Sequence, residues 1–172
     1  TSRVGTKSPS TPGGSVDSPL SPGRFALGAG ARFFARAIDT DKVGLGEVLK
    51  EAHGFDGAAM TEIFQNCIVY NEDVFASFTD RKTAAGTQLH LQHGEPMLFG
   101  AEKDKGIHFN SDTFTLEVVD AKANPDQVLR HDQKNRMLAQ LLVELETPVA
   151  LGVVYKNPGE SYETSWYAPH KN

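Results

Sequence analysis

The one cysteine of the 172-residue sequence is the residue whose type and position could most directly do chemistry. Cys67 stands in the run IFQNCIVYN, directly after an apolar stretch at 57–64 that reads as a buried strand. Open α/β sheets bind ligands and cofactors at the carboxyl ends of their parallel strands. A single thiolate cannot hold an iron–sulfur cluster, but it can complete one whose other ligands lie elsewhere. The alternative is a structural cysteine that packs as a small buried hydrophobe.

The histidines form two candidate clusters, and neither has the pattern of a catalytic or metal site. His90 and His93 make a His-x-x-His pair, but no third ligand stands at a suitable spacing. Residues three apart on a strand also point to opposite faces, so the two rings would not converge. His131 and Asp132, with Asn135 one turn further, fit a polar cluster at a helix terminus better than a catalytic dyad, because no partner nucleophile can be identified. We therefore assign no catalytic residue in this chain.

Two glycine-rich stretches invite a phosphate-binding interpretation that their spacing does not support. Gly28-Ala29-Gly30 lacks the third glycine of a dinucleotide fingerprint and does not follow a convincing strand. Gly13-Gly14-Ser15 is not followed by the Lys-Ser/Thr pair of a P-loop. Neither stretch is assigned as a nucleotide site.

Composition and charge exclude several classes of protein. The 17 Lys and Arg against 22 Asp and Glu give a net charge of −5, and no basic run exceeds two residues, so the electrostatic footprint of a nucleic-acid-binding protein is absent. An apolar fraction of 39% with 10 Phe is sufficient for a packed core. The sequence contains no apolar run of about 18 residues and no signal-like segment. We expect a soluble, cytoplasmic protein without a membrane partner.

The elements that must position Cys67 lie in the first half of the chain. Residues 1–23 form a Ser/Pro/Gly-rich arm whose prolines preset extended backbone. Residues 33–38 (FFARAI) read as a strand, followed by a helix that ends near His53. Residues 57–64 (GAAMTEIF) read as a second buried strand. This strand–helix–strand order predicts a βαβ unit with parallel pairing and therefore an α/β fold.

The second half of the chain is less regular. Strands are predicted at 88–91, 97–99, 114–119 and 149–155, and residues 103–106 read as a solvated turn. A long helix is predicted to open at 124–126 and to stop before Pro148, with Leu138, Leu141, Leu142 and Leu145 along one face. We expect one domain over residues 24–157, followed by a polar tail at 158–172.

Five runs in consistent order resemble a known family. They are TKSPSTPGGSVDSP, FALGAGARFFAR, EIFQNCIVYN, MLFGAEKDKGI and HDQKNRMLAQLL, and together they span roughly residues 1–160. On these runs the chain resembles the later half of the beta subunit of 2-oxoacid:ferredoxin oxidoreductases, the 2-oxoglutarate type most closely. The resemblance implies an α/β fold that is the C-terminal part of a thiamine-diphosphate-binding domain with a mainly parallel sheet.

The resemblance also implies a reaction and its cofactors. Members oxidatively decarboxylate a 2-oxoacid to its acyl-CoA with thiamine diphosphate, Mg²⁺ and coenzyme A, and pass electrons through a 4Fe–4S cluster to ferredoxin. They work together with an alpha subunit. The family cysteine that matches Cys67 is the fourth ligand of the cluster. The other three ligands, and the segments that bind the diphosphate, Mg²⁺ and substrate, would lie before Thr1. We therefore expect an excerpt or truncated product of a longer subunit, inactive alone.

Two alternatives stay open on the sequence. A pyruvate- or branched-2-oxoacid-specific member of the family would keep the cofactors and the role of Cys67, whereas a non-catalytic α/β binding domain with a structural cysteine would have neither. The family often has a proline directly before the cluster cysteine, where this chain has Asn66. From its place beside the cofactor segment, we expect residues 1–23 to be an ordered arm packed on the rest of the subunit or on the partner subunit.

Overall fold

Two sheets organise the chain in a computed structural model, which describes residues 3–69 and 72–168. The strands in these ranges are β1 (Phe33–Ile38), β2 (Met60–Phe64), β3 (Gln88–His90), β4 (Leu98–Phe99), β5 (Lys105–Asn110), β6 (Thr115–Asp120) and β7 (Val149–Lys156). The helices are α1 (Pro22–Gly28), α2 (Lys42–His53), α3 (Ala76–Thr79), α4 (Ala84–Thr87), α5 (Arg136–Glu144) and α6 (Tyr162–Tyr167). Among the described residues, no helix has the length and apolar character needed to cross a membrane.

The four-stranded sheet has the order β2-β1-β7-β3 and contains the predicted βαβ unit. β1 and β2 pair in parallel, with Ile38 opposite Phe64, and β3 and β7 also pair in parallel. β7 runs antiparallel to β1. Between β1 and β2, the side chain of Asp41 caps α2 by accepting the Gly44 N–H at 3.0 Å. The prediction of an α/β fold with a mainly parallel sheet is confirmed.

Helices cover both faces of this sheet. Successive residues of β1 pack against different helices, because their side chains point to opposite faces. On one face, Phe34 packs in a cluster with residues of α1 and α5, including Leu27 and Leu142. On the other face, Phe33 packs against α2 through Val48. β1 is therefore enclosed from both sides, and all six of its residues are buried.

Gly23, the second residue of α1, marks a close approach of this helix to its neighbours. A Cβ at this position would lie 2.9 Å from the Phe34 ring and 2.9 Å from a Val143 methyl carbon. Only glycine therefore lets the first turn of α1 lie this close to β1 and α5. Gly30, at φ +93°, adopts the left-handed backbone just after the helix.

The predicted long helix begins twelve residues later than expected. Residues Pro125–Gln127 form a single 3₁₀ turn, and α5 starts only at Arg136, where Asn135 Oδ1 accepts the Leu138 N–H at 3.0 Å. The intervening chain is extended because its backbone pairs elsewhere. Met97 N–H donates to Leu129 O at 2.9 Å. The apolar row that suggested the helix begins at Leu138, so periodicity alone marks the observed start better than the Asn-Pro-Asp signal did.

A three-stranded antiparallel sheet, β4-β5-β6, packs beside the first sheet. β5 starts at Lys105, within the stretch predicted to be a solvated turn, and pairs along its whole length with β6. The predicted strand at 114–119 corresponds to β6, displaced by one residue. The sequence did not predict β5, because Lys105, Gly106 and His108 interrupt its apolar pattern.

The two ends of the described chain are both partly ordered. In the arm, Gly5 N–H donates to Ser15 O at 2.7 Å and Ser15 N–H to Thr6 O at 3.0 Å, so this segment folds back on itself. Val16 and Leu20 in the same arm are exposed. In the predicted polar tail, α6 forms after the Ser161 cap. The domain boundaries at residues 23 and 157 stay predictions.

Candidate functional site

Cys67 lies three residues beyond the carboxyl end of β2 and is exposed to solvent. β2 is an edge strand of the four-stranded sheet, and its last residue is tied to the end of β1, because Asp39 N–H donates to Phe64 O at 3.1 Å. Within this chain the thiol does not pack as a small buried hydrophobe, and its exposure is compatible with a ligand role.

An aromatic cluster forms the base of the loop that carries Cys67. Phe64 precedes the loop, and Phe75 and Phe78 follow it. The ring centroid of Phe64 lies 5.2 Å from the centroid of Phe75 and 5.2 Å from the centroid of Phe78, both in edge-to-face geometry. These rings pack with Ile38 and other residues of the sheet. The loop therefore begins and ends on one packed cluster, which restricts where Cys67 can lie.

Asn66, the residue that departs from the family pattern, closes this loop. Its Oδ1 accepts the Asp73 N–H at 2.8 Å, and Asp73 has the left-handed backbone at φ +58°. Aspartate is one of the few residues that adopt this conformation at modest cost. The side-chain amide thus supplies a restraint at the position where the family often has proline.

Replacing Asn66 with alanine is expected to speed hydrogen exchange at the Asp73 amide by about three- to tenfold, because a solvent-exposed hydrogen bond contributes about 0.5–1.5 kcal/mol. Exchange followed by NMR or mass spectrometry measures this directly. Asn66→Asp is the matched control, since a carboxylate oxygen accepts the same bond and should preserve protection. Equal exchange in Asn66→Ala and the unaltered chain would contradict the restraint.

Exposed apolar residues lie close to Cys67 along the chain. Ile63 on β2 and Ile68 and Val69 in the loop are all exposed, with Ile68 at 77%. We call Ile63, Ile68 and Val69 the Cys67 patch. Adjacent exposed apolar side chains are typical of surfaces that another protein segment or a ligand covers.

A buried ion pair between β1 and β2 was missed by the sequence reasoning. Arg36 Nε donates to Glu62 Oε2 at 2.7 Å, and Arg36 Nη2 donates to Val143 O at 3.2 Å. The guanidinium also lies 5.6 Å from the centre of the Phe64 ring. The available signal was a charge of opposite sign near the middle of each of two apolar strands. The pair links β1 to the strand that leads to Cys67.

The structure does not bring His90 and His93 together with Cys67. Both histidines line an open cavity of about 750 Å³ beside α2, together with Arg36, Asp41 and Lys156. His90 Nε2 lies 3.0 Å from Gln88 Oε1, and His93 Nδ1 accepts the Gln133 N–H at 3.3 Å. Within residues 3–69 and 72–168, no group of three or more His, Cys, Asp or Glu could hold a metal ion. These contacts are those of ordinary polar histidines, with His90 at the end of β3 and His93 in the loop that follows.

The predicted cluster of His131, Asp132 and Asn135 is divided in the structure. Asn135 caps α5, as expected of a helix terminus, and Asp132 is exposed. His131 is instead buried, at 2% exposure, because its segment lies between the two sheets. Burial lowers the pKa of the His131 ring below its ordinary value. The contacts that bury it come from residues distant in sequence, so no local signal indicated its burial.

The fold matches one part of a solved oxidoreductase. The match is to 2-oxoglutarate:ferredoxin oxidoreductase from Magnetococcus marinus, a structure with 2-oxoglutarate, coenzyme A and succinyl-CoA bound. It covers 99% of this chain and 45% of that chain, with a TM-score of 0.67 and 20% identity. The chain therefore has the fold of that part of the oxidoreductase.

Two curated proteins are similar in sequence. The chain is 41% identical over 134 residues to 2-oxoglutarate oxidoreductase subunit KorB of Mycobacterium tuberculosis, which is 77% of this chain and 35% of that subunit. It is 30% identical over 82 residues to the 2-oxoacid:ferredoxin oxidoreductase subunit beta of Saccharolobus solfataricus, which is 48% of this chain and 27% of that subunit. The chain spans about a third of the length of these relatives. No protein-family model matches the sequence.

Proposed function

We propose that this chain is part of the beta subunit of a 2-oxoglutarate:ferredoxin oxidoreductase. The reaction converts 2-oxoglutarate and coenzyme A to succinyl-CoA and CO₂, and its two electrons reduce ferredoxin. The observation that carries the proposal is the 41% identity to the KorB subunit. A match over 77% of a 172-residue chain includes residue 67 wherever the match begins.

Within this proposal, Cys67 is one ligand of a 4Fe–4S cluster. Its exposed thiol beyond the carboxyl end of β2 supports this role, because a ligand shared with other segments must be accessible. The Cys67 patch would shield a bound cluster from water, which tunes its potential. The described residues contain no complete metal-binding group, so the other ligands are assigned to the rest of the protein. The cluster supplies one-electron transfer when bound.

Thiamine diphosphate and Mg²⁺ are assigned to residues outside this chain. Mg²⁺ prefers carboxylate and phosphate oxygens, and the described residues contain no metal-binding group of three or more His, Cys, Asp or Glu. Thiamine diphosphate supplies the electron sink for decarboxylation when bound. In this proposal the chain contributes the four-stranded sheet and the thiol of Cys67 to the oxidoreductase.

The partners in this proposal are an alpha subunit and ferredoxin, in the cytoplasm, where a thiol such as Cys67 stays reduced. The exposed Val4, Val16 and Leu20 support the arm as a contact surface for the rest of the subunit or for the alpha subunit. Because residues 3–15 fold back on themselves, the arm presents Val4 from a partly preformed loop, and Val16 and Leu20 follow that loop.

The test is a coenzyme A-dependent assay of the complete beta subunit, co-produced with its alpha subunit. We expect kcat/KM for ferredoxin reduction to be at least about tenfold higher with 2-oxoglutarate than with pyruvate. A site that pairs the second carboxylate of 2-oxoglutarate leaves its polar groups unpaired when pyruvate binds. The 172-residue chain alone is expected to be inactive.

A higher kcat/KM with pyruvate than with 2-oxoglutarate would assign a pyruvate-specific enzyme. No coenzyme A-dependent reduction with any 2-oxoacid would favour the non-catalytic binding domain.

In the same complex, residues 3–21 should resist a protease. Cleavage there as fast as in an unstructured peptide would contradict a packed arm.

A further inference from the structure

The backbone of His131 belongs to the three-stranded side of the molecule. His131 N–H donates to Glu95 O at 2.9 Å, and Gly94 N–H donates to His131 O at 2.8 Å. Two residues earlier, Leu129 N–H donates to Ile107 O on β5 at 2.8 Å. The segment from Leu129 to His131 is thereby held to β5 and to the chain before β4.

The ring of His131 reaches in the other direction, toward the four-stranded sheet. Its Nε2 lies 3.3 Å from Val154 O on β7, so a neutral ring donates there through Nε2–H. That tautomer leaves Nδ1 as a lone-pair acceptor, and Nδ1 has no hydrogen-bond partner among the residues that the structure describes. One residue therefore links the two sheets, through its backbone on one side and its ring on the other.

A proton on Nδ1 would be costly at this position. It would place a positive charge and a second N–H on a side chain that is only 2% exposed. His93, on the neighbouring loop, also opposes the charge, whereas Asp132 and the backbone oxygens of Val154 and Gln92 favour it. The Gln92 oxygen does not reach hydrogen-bonding geometry with Nδ1, and the balance is against the charged ring.

We propose that His131 is a pH-sensitive fastener between the two sheets, and that protonation of its ring loosens the three-stranded sheet from β7. In the closed state the His131 ring contacts Val154 O, and in the open state the three-stranded sheet has moved away from β7. The neutral ring fits the closed state, whereas in the open state the ring is in water and can take up a proton. Since the ring of the open state titrates near pH 6.5, the fastener is fully effective above that pH and weakens as the pH falls below it. This inference does not depend on the proposed function.

Hydrogen exchange of the full 172-residue chain at pH 7.5 and pH 5.5 tests the proposal, with rates corrected for intrinsic pH dependence. The amides of Gly94, Leu129 and His131 should lose up to about tenfold protection at the lower pH, because each unit below the open-state pKa can contribute a factor of ten. The amide of Asp39, which donates to Phe64 O in the other sheet, should keep its protection.

Two variants separate the fastener from general acid effects. His131→Gln keeps an amide donor for Val154 O and does not titrate, so its protection should be independent of pH. His108→Gln, a change at a half-buried histidine on β5 whose Nδ1 lies 3.1 Å from Gln127 O, should keep the pH dependence of the unaltered chain.

Equal pH dependence in His131→Gln and the unaltered chain would overturn the proposal. So would a uniform loss of protection that includes Asp39. If His131→Gln does not fold, the ring of the unaltered chain can be titrated by NMR. Titration of His131 below pH 6.5 would support the fastener, and titration at or above pH 6.5 would overturn it.

Discussion

Replacing Cys67 with serine is expected to remove the visible absorbance of the iron–sulfur cluster from the complete complex and to lower ferredoxin reduction by more than about 100-fold. A serine hydroxyl stays protonated at neutral pH and is a poor ligand for the iron of a cluster, which thiolates hold. The chain has a single cysteine, so it offers no other thiol as a substitute. The measurements are the visible spectrum, the iron content and the rate of ferredoxin reduction.

The matched control is Val43→Ser, which introduces the same hydroxyl at an exposed position on α2, outside the Cys67 patch, and keeps the thiol. Val43 is 73% exposed, so the change costs little packing, and the complex should retain its absorbance and activity. A Cys67→Ser complex with full visible absorbance and full electron transfer would refute the assignment of Cys67 as a cluster ligand.

Replacing Glu62 with glutamine is expected to lower the free energy of unfolding by about 3–5 kcal/mol. The side chains of Arg36 and Glu62 are only 7% and 14% exposed, and their nitrogen and oxygen atoms lie 2.7 Å apart. In the variant, the buried Arg36 charge keeps only neutral acceptors, the glutamine amide oxygen and Val143 O, with two aromatic rings beside it, and has no counter-charge. Urea unfolding of the variant and the unaltered chain measures the loss.

An exposed ion pair in the same chain provides the control. Arg24 and Glu144 lie 3.3 Å apart with side chains 62% and 50% exposed, so Glu144→Gln should change the free energy of unfolding by less than about 1 kcal/mol. The double change Arg36→Met with Glu62→Leu should recover most of the loss, because it removes both buried charges. Similar losses in Glu62→Gln and Glu144→Gln would contradict the importance of burial.

The βαβ unit was predictable because its signals are local. The apolar run at Phe33–Ile38 became β1, and the helix that follows ends at His53 as predicted, with Asp41 as its N-cap. Strand β2 begins three residues later than predicted, at Met60, and ends at Phe64 as expected. Since Cys67 follows that strand, its place at the carboxyl end could also be read from the sequence.

Local sequence signals gave wrong predictions where a segment pairs with distant parts of the chain. The Asn-Pro-Asp signal at 124–126 is a valid helix opening, but it produced one 3₁₀ turn, because the next residues pair with the chain near Met97 and Ile107. β5 lacks a clear apolar alternation and forms through its pairing with β6. In both places tertiary hydrogen bonds outweighed local preference.

By itself, the sequence determined the α/β class, the βαβ unit and the position of the one cysteine just beyond a buried strand. It also carried the family resemblance, through short runs that need no contact to be recognised. Only the tertiary structure decided that Cys67 is exposed, that Arg36 pairs with Glu62 across 26 residues of chain, and that His131 is buried against Val154, 23 residues away. The physical reason is range: caps and periodicity act within a few residues, whereas burial and the pairing of charges depend on which distant segments meet.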